Sequence, residues 1–93
     1  MKDATRLSAT IHGRVQGVYF RGFVQEHALR RSIVGYASNL PNGTSVEVQA
    51  EGDRPSLEEL LRLLNEGPPA SIVRNVESTW STPTGQFEDF EVL

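Results

Sequence analysis

The stretch VGYASNLPNGTSVEVQAE, residues 34–51, decides the fold because it contains two strand-like segments and the turn that joins them. Residues 34–40 predict one strand, and Pro41-Asn42-Gly43 supplies the turn chemistry that closes a hairpin. Within residues 45–51 apolar and polar side chains alternate, as in a half-buried strand. This alternation places Val46, Val48 and Ala50 on the buried face and Glu47, Gln49 and Glu51 on the solvent face.

Segments with helical spacing flank this hairpin. Before it, the inward positions of a predicted helix are Phe20, Phe23, Val24, His27 and Ala28. After it, a second helix is predicted from an apolar stripe of Leu57, Leu60, Leu61 and Leu64. The second helix is entered through Asp53 and Pro55, with a candidate capping box at Ser56 and Glu59, and it ends at Gly67-Pro68-Pro69.

Three further segments predict strands, at residues 7–11, 73–80 and 87–92. The resulting order is βαββαβ with a short extra strand. It is the order of the ferredoxin-like sandwich of the α+β class, an antiparallel sheet with both helices on one face. We expect the aromatic residues, Trp80, Tyr36 and the four Phe, mainly in the core, and we expect surface solvation from Glu47, Glu51, Glu58 and Glu59.

Length and composition restrict the classes of function. A chain of 93 residues is expected to form one domain, 1–93, and its N-terminus has no apolar signal-peptide core, so we expect a cytoplasmic protein. The absence of cysteine excludes thiolate catalysis and Cys-based zinc sites, which leaves only His12 and His27 as soft metal ligands. A net charge of −3 argues against a broad nucleic-acid surface, and no apolar run approaches a membrane span.

A glycine-containing loop, residues 13–19, lies between the first predicted strand and the first predicted helix. Arg21 stands at the start of that helix, where the helix dipole disfavours a cation by up to about 1 kcal/mol. An anion shared between its guanidinium and the loop amides, turned inward at Gly13 and Gly17, would account for this position. The alternative is an ordinary surface arginine beside a tight turn. The loop lacks the Lys and Ser or Thr of a nucleotide-binding P-loop.

The nine residues GRVQGVYFR, 13–21, resemble the signature of the acylphosphatase family. Further similar segments are GYASN at 35–39, NG at 42–43, VEV at 46–48, EGPP at 66–69 and the closing FEDFEV at 87–92. The resemblance therefore spans nearly the whole chain. Departures from the family pattern occur at Arg31, Ser32 and Ala37-Ser38, where the family commonly has an apolar residue, a glycine, and valine with a basic residue.

The resemblance implies hydrolysis of small-molecule acyl phosphates to a carboxylate and inorganic phosphate. The lack of cysteine and of any ligand cluster with metal spacing predicts a reaction without metal, and no other cofactor is expected. The resemblance also implies that Asn39 positions the attacking water and that the phosphoryl group is bound by Arg21 and by the backbone of Val15, Gln16, Gly17, Val18, Tyr19 and Phe20. We expect a monomer with no nucleic-acid or membrane partner. Without the resemblance, the favoured interpretation of Asn39 is a residue that simply ends a strand before a turn.

Two other interpretations stay open at this point. The loop of a non-enzymatic ferredoxin-like module would bind phosphate as a regulatory or structural ligand. Alternatively, the chain is an acylphosphatase-like part of an assembly that processes carbamoyl phosphate. The presence of both Arg21 and Asn39 favours the enzyme over the first of these.

Overall fold

The computed structural model describes residues 4–93, which form a five-stranded sheet covered on one face by two helices. In chain order the elements are β1 (Ala4–Arg14), α1 (Phe20–Arg30), β2 (Val34–Asn39), β3 (Ser45–Asp53), α2 (Arg54–Glu66), β4 (Ile72–Ser81) and β5 (Phe90–Val92). The strand order is β4-β1-β3-β2-β5. The predicted ferredoxin-like α+β sandwich is confirmed.

The central hairpin forms as predicted. β2 and β3 pair antiparallel from Val34 opposite Glu51 to Asn39 opposite Val46. In the turn, the Thr44 N–H donates to Asn42 Oδ1 at 3.0 Å, and Gly43 has a φ of 79°, which a glycine adopts without strain. The hairpin therefore brings the end of β2 to a fixed place beside the start of β3.

The edge strand β5 corrects one detail of the prediction, because it pairs parallel to β2 and the sheet is mixed rather than wholly antiparallel. β4 and β5 lie at opposite edges of the sheet, so residues 82–89 must cross from one edge to the other. This crossing brings the chain to β2 in the parallel direction. Residues 87–89 belong to this crossing segment, so β5 is shorter than the predicted strand 87–92.

The crossover also overturns the prediction that Glu51 solvates the surface. Glu51 is only 4% exposed and lies under the crossover. Its carboxylate accepts hydrogen bonds from the backbone N–H groups of Thr84 and Gly85, at 2.9 and 3.0 Å, and from the Thr84 hydroxyl at 2.8 Å. Arg6 Nη1 donates to the same carboxylate at 2.9 Å. Sequence alternation placed Glu51 on the correct face of the sheet, but a distant segment covers it.

The core lies between the sheet and the helices. β1 contributes Leu7, Ala9 and Ile11, β3 contributes Val46, Val48 and Ala50, and the helices contribute Phe20, Val24, Ala28, Leu57, Leu60 and Leu64. Phe90 is also in the core, whereas Tyr36 and Phe87 lie outside it, with ring centroids 6.0 Å apart. The two rings contact each other on the other face of the sheet. Phe87 belongs to the crossover and covers Tyr36 there.

The N-terminus of α2 differs from the one predicted from the sequence. The capping box predicted at Ser56 and Glu59 is wrong: α2 begins at Arg54, directly after β3, with Asp53 as N-cap and Pro55 in the first turn. This early start leaves Ser56 inside the helix.

No helix within residues 4–93 has the length and apolar character needed to span a membrane.

The C-terminus of α1 has a geometry that suits the glycine commonly found in the family at the position of Ser32. The N–H of Ile33 donates to Ala28 O at 3.0 Å and that of Ser32 to Leu29 O at 3.3 Å, a Schellman arrangement. Ser32 has a φ of 55°, in the left-handed region that favours glycine. The backbone therefore adopts the glycine conformation although the side chain is serine.

Candidate active site

A pocket of about 360 Å³ lies where the loop before α1, the start of α1, and the ends of β2 and β5 meet. It contains both residues singled out by the sequence, Arg21 and Asn39, together with Gly17, Tyr19, Gln25 and Val92. Two residues 18 positions apart in the chain are thus brought to one concave surface. We treat this pocket as the candidate active site.

The loop residues 16–19 have unused backbone donors, and two of these residues, Gly17 and Tyr19, line this pocket. Among the described residues, the backbone N–H groups of residues 16–19 find no hydrogen-bond acceptor. Gly17 has a φ of 72° and Tyr19 a φ of 66°, and this alternation turns the backbone sharply before the first helical turn. Unpaired amides followed by a helix N-terminus form a concave set of partial positive charges that suits an anion.

Gly13 does not take part in this set of amides, contrary to the sequence interpretation. Its N–H donates to Thr44 O at 2.9 Å, within the sheet region. A Cβ added at Gly13 would lie 2.1 Å from Ile72 O, because the register between β1 and β4 shifts between His12 and Gly13. Gly13 is therefore required by a β-bulge, whereas at Gly17 an added Cβ would meet none of the described atoms within 4 Å.

Two side chains of the loop fix its position rather than line the pocket. Gln16 Nε2 donates to Leu40 O at 2.8 Å and to Ser45 O at 2.9 Å, which ties the loop to the central hairpin. Val18 packs against the hydrophobic core. The loop is thereby held next to Asn39, the last residue of β2.

Arg21 lies in the first turn of α1, which has no acidic residue and no side-chain N-cap hydrogen bond. The positive end of the helix dipole and the guanidinium therefore act on the same region. Arg21 Nη1 donates to the backbone oxygen of Leu93 at 2.5 Å, so the segment after β5 positions the guanidinium. The pocket combines a charged planar donor with the loop amides.

Asn39 presents a buried acceptor. Its Oδ1 is inaccessible to solvent and receives no hydrogen bond from any group within residues 4–93. A buried polar atom without a partner costs about 1–3 kcal/mol, so such atoms in native structures call for an explanation. An Asn39 that only ended a strand before a turn would accept a hydrogen bond from the turn through its side-chain oxygen. The unpaired oxygen is therefore not explained by that interpretation.

Sequence reasoning missed Gln25 and Val92, which also line the pocket. Gln25 follows Arg21 by four residues and therefore lies on the same helix face, a signal that the spacing contained. Its Nε2 donates to Phe90 O at 2.9 Å and links α1 to β5. No local signal indicated Val92, because its place depends on the crossover to the far edge of the sheet.

The two histidines lie outside the pocket. His12 is on the polar face of β1 as predicted, with Nδ1 2.7 Å from Ser45 Oγ and Nε2 2.6 Å from Glu77 Oε1. His27 packs edge-on against Phe23, with ring centroids 4.7 Å apart. Burial and the charge of Arg31 lower the pKa of His27, so the ring is neutral near pH 7. Within residues 4–93, no group of three or more His, Cys, Asp or Glu side chains is arranged so that it could hold a metal ion.

A larger pocket of about 500 Å³ lies on the other side of the loop. It is bounded by His12, Arg14, Thr44 and Arg74 and contains neither Arg21 nor Asn39. Size alone therefore does not identify the site. The smaller pocket is the candidate because it combines unpaired amides, a guanidinium and an orphaned acceptor.

Comparison with known proteins gives a consistent result. The Acylphosphatase family model matches residues 7–92. An acylphosphatase of Dehalococcoides mccartyi (strain CBDB1) is 50% identical over 86 residues, which cover 92% of this chain and 94% of that protein. The crystal structure of the Bacillus subtilis acylphosphatase has a TM-score of 0.91 at 32% identity and covers 96% of this chain and 98% of that one. An acylphosphatase structure from Coxiella burnetii has a TM-score of 0.90 at 36% identity, covering 99% and 95%. The chain belongs to the acylphosphatase family, a family of hydrolases that act on acyl phosphates.

Proposed function

We propose that Arg21 and the loop amides bind the phosphoryl group of an acyl phosphate and that Asn39 orients the attacking water. The observation that carries this proposal is the buried, unpaired Oδ1 of Asn39 in the pocket that also contains Arg21. A rotation of the Asn39 amide would expose that oxygen to the pocket, and a water molecule donating to it there would remove the cost of the orphaned acceptor. The same water would then lie beside the anion site.

The chemistry requires positioning and charge stabilisation more than proton transfer. The water oxygen attacks phosphorus, and the bond between phosphorus and the acyl oxygen breaks. The electron pair leaves with the carboxylate, which needs no proton to depart, and a proton of the water passes to a phosphate oxygen. Charge spreads over the equatorial oxygens during this step, where a planar guanidinium and converging N–H donors stabilise it.

Arg21 suits this role better than a lysine would. Its guanidinium presents donors in a fixed planar fork, whereas an ammonium presents a point charge. The hydrogen bond from Arg21 Nη1 to Leu93 O restricts the orientation of this fork before substrate binds. Preorganised donors stabilise a transition state without reorganisation at the moment of reaction.

Further parts of the proposal concern the surroundings of the reaction. We propose that residues 1–93 act as a single cytoplasmic domain and as a monomer. The reaction uses no metal and no other cofactor, because the positive charge opposite the phosphoryl group comes from Arg21 and the amides. Inorganic phosphate is the second product and binds in the same pocket as the substrate.

The test separates binding from chemistry at Asn39. Asn39→Ala is expected to keep the dissociation constant for inorganic phosphate and to lower kcat on the order of 10²-fold, because misplacement of a nucleophile has about this effect. Asn39→Asp keeps the size but adds a negative charge near the anion, so it is expected to weaken phosphate binding as well. Phosphate titration and steady-state kinetics give the two quantities.

A matched control is Asn65→Ala, in an exposed part of α2 outside the pocket, which is expected to leave both quantities unchanged. Thermal melts establish that each variant is folded. Wild-type turnover by Asn39→Ala would refute the water-positioning role. Phosphate binding without any turnover by the wild-type protein would favour the non-enzymatic module instead.

A further inference from the structure

The phosphate loop accounts for the backbone of Tyr19 but not for its large aromatic side chain. Tyr19 is the N-cap of α1 and has a φ of 66° and a ψ of 22°, a left-handed conformation that is unusual for a bulky residue. Tyr19 is one of the residues that line the candidate pocket, and it is 64% exposed. A large aromatic residue is thus held in a costly backbone conformation at the mouth of the site, and such strain concentrates at functional positions.

The ring of Tyr19 packs against Gly22 of α1. A Cβ added at Gly22 would lie 2.2 Å from Tyr19 Cε1 and 2.5 Å from Tyr19 Cζ, so the ring occupies the space that any larger residue would fill. Gly22 itself lies inside α1 without a positive φ, where alanine would be the better helix former. The glycine is therefore explained by the ring and not by the backbone.

The hydroxyl end of the Tyr19 ring is held by a carboxylate of α1 that lies one helical turn after Gly22. The Tyr19 hydroxyl donates to Glu26 Oε1 at 2.6 Å. This hydrogen bond raises the pKa of Tyr19, and the hydroxyl accordingly remains protonated as a donor. Contacts at Gly22 and at Glu26 together restrict a side chain that is otherwise open to solvent.

The acyl end of the substrate has to lie near this ring. With the phosphoryl group on Arg21 and the loop amides, the rest of the molecule extends toward the opening of the pocket. Two exposed apolar side chains line that same pocket, Tyr19 from the N-terminus of α1 and Val92, 39% exposed, from β5. A planar apolar group offers a large surface for contact with such side chains, whereas a methyl group offers little.

We propose that Tyr19 is a rigid platform for the acyl group and that it makes the enzyme prefer acyl phosphates with planar, apolar acyl groups. The proposal rests on the roles given above to Arg21 and the loop, because they orient the acyl end. Tyr19 acts as a specificity residue. Its ring contacts the acyl group, while its backbone belongs to the phosphate loop.

The experiment compares benzoyl phosphate with acetyl phosphate and measures the ratio of their kcat/KM values. Damage to the phosphate loop changes both substrates equally and cancels in this ratio. Tyr19→Ala is expected to lower the benzoyl-to-acetyl ratio about 2- to 10-fold, the range typical of one aromatic contact. Tyr19→Phe retains the ring and is expected to stay within about 2-fold of the wild-type ratio.

Gly22→Ala provides an independent second variant. It leaves the tyrosine in place but displaces its ring, and it favours the helix, so it is expected to fold and to lower the ratio in the same direction. Leu29→Ala removes an exposed apolar side chain of the same helix outside the pocket and serves as the control with an unchanged ratio.

The outcomes distinguish the platform from the underlying site. A wild-type ratio in both Tyr19→Ala and Gly22→Ala would refute the platform while leaving the roles of Arg21 and Asn39 intact. Failure of the wild-type protein to hydrolyse either substrate would refute those roles and the platform with them. A lowered ratio in both variants, with Tyr19→Phe near the wild type, supports the platform.

Discussion

Replacing Glu51 by glutamine tests how strongly the crossover of residues 82–89 is held to the sheet. The substitution keeps the shape of the side chain but removes the charge that faces Arg6 and the two backbone donors of Thr84 and Gly85. It also introduces an amide NH₂, which has to point at one of these donors. Removing one partner of a buried ion pair costs about 3–5 kcal/mol.

The expected destabilisation lies at or below the lower end of that range. The Glu51 side chain is 5% exposed but that of Arg6 is 17% exposed, so water screens part of the interaction. We expect a loss of about 2–3 kcal/mol in the free energy of unfolding. For a domain of this size the loss corresponds to a fall in Tm of roughly 10 °C or more.

The pH dependence of this effect has a definite sign. Burial by itself would raise the pKa of Glu51, but the hydrogen bonds from Thr84, Gly85 and Arg6 outweigh burial and lower it below its ordinary value of 4.5. A carboxyl whose pKa is lowered by folding stabilises the protein above its unfolded pKa, and this stabilisation is lost as the pH falls through the folded pKa. The gap between wild type and Glu51→Gln is therefore constant from about pH 5 to 8 and narrows below about 4.5.

Thermal or urea unfolding of both proteins between pH 3 and pH 8 measures this gap. Glu88→Gln is the matched control, since it removes an exposed carboxylate from the same crossover. It is expected to change stability by less than about 0.5 kcal/mol. Equal stability of Glu51→Gln and wild type at pH 7, or a gap that stays constant down to pH 3, would contradict the reasoning.

Three further predictions follow from other parts of the molecule. Ser32→Gly is expected to stabilise the fold by roughly 0.5–1 kcal/mol, because glycine adopts the left-handed conformation of this position without strain; thermal melts would show a higher Tm, and a lower one would contradict the cap geometry. Arg21→Lys is expected to lower kcat/KM for benzoyl phosphate on the order of 10²-fold, because a missing preorganised donor has about this effect. Near-normal kinetics would mean that Arg21 is an ordinary surface arginine. Hydrolysis of benzoyl phosphate is expected to survive EDTA, since the proposed charges come from the chain itself; loss of activity that one metal restores would overturn the metal-free reaction.

Local patterns were sufficient to predict the elements that position the site. The alternation in residues 45–51 and the turn at Asn42-Gly43 placed Asn39 at the end of a strand, and helical spacing placed Arg21 in the first turn of α1. These features depend on neighbours in the chain, which a periodicity reports directly. The pairing of the two residues came from the family resemblance, because no spacing relates a strand end to a helix start.

What sequence reasoning missed depends on contacts between distant segments. The burial of Glu51 and the parallel pairing of β5 both result from the crossover, whose polar sequence gave no sign of its course. Gly22 was unremarkable as a residue until the ring of Tyr19 was seen to occupy its side-chain space. Gly13 was assigned to the phosphate loop because a glycine required by a β-bulge and one required by an anion site look alike in sequence.

The edge strand β5 links local opening of the sheet to the fraction of molecules that are competent to react. β5 has only three residues, and two backbone hydrogen bonds flank it, from Gly35 to Asp89 O and from Leu93 to Ala37 O, both 2.9 Å long. A short edge strand detaches with a lower free energy than global unfolding, and native-state hydrogen exchange reports such openings. Each opening withdraws Val92 from the pocket and Leu93 O from Arg21 while the core stays folded. Inorganic phosphate bound in the pocket as proposed would oppose this opening, so we expect it to slow amide exchange at Leu93 more than at the central strands β1 and β3.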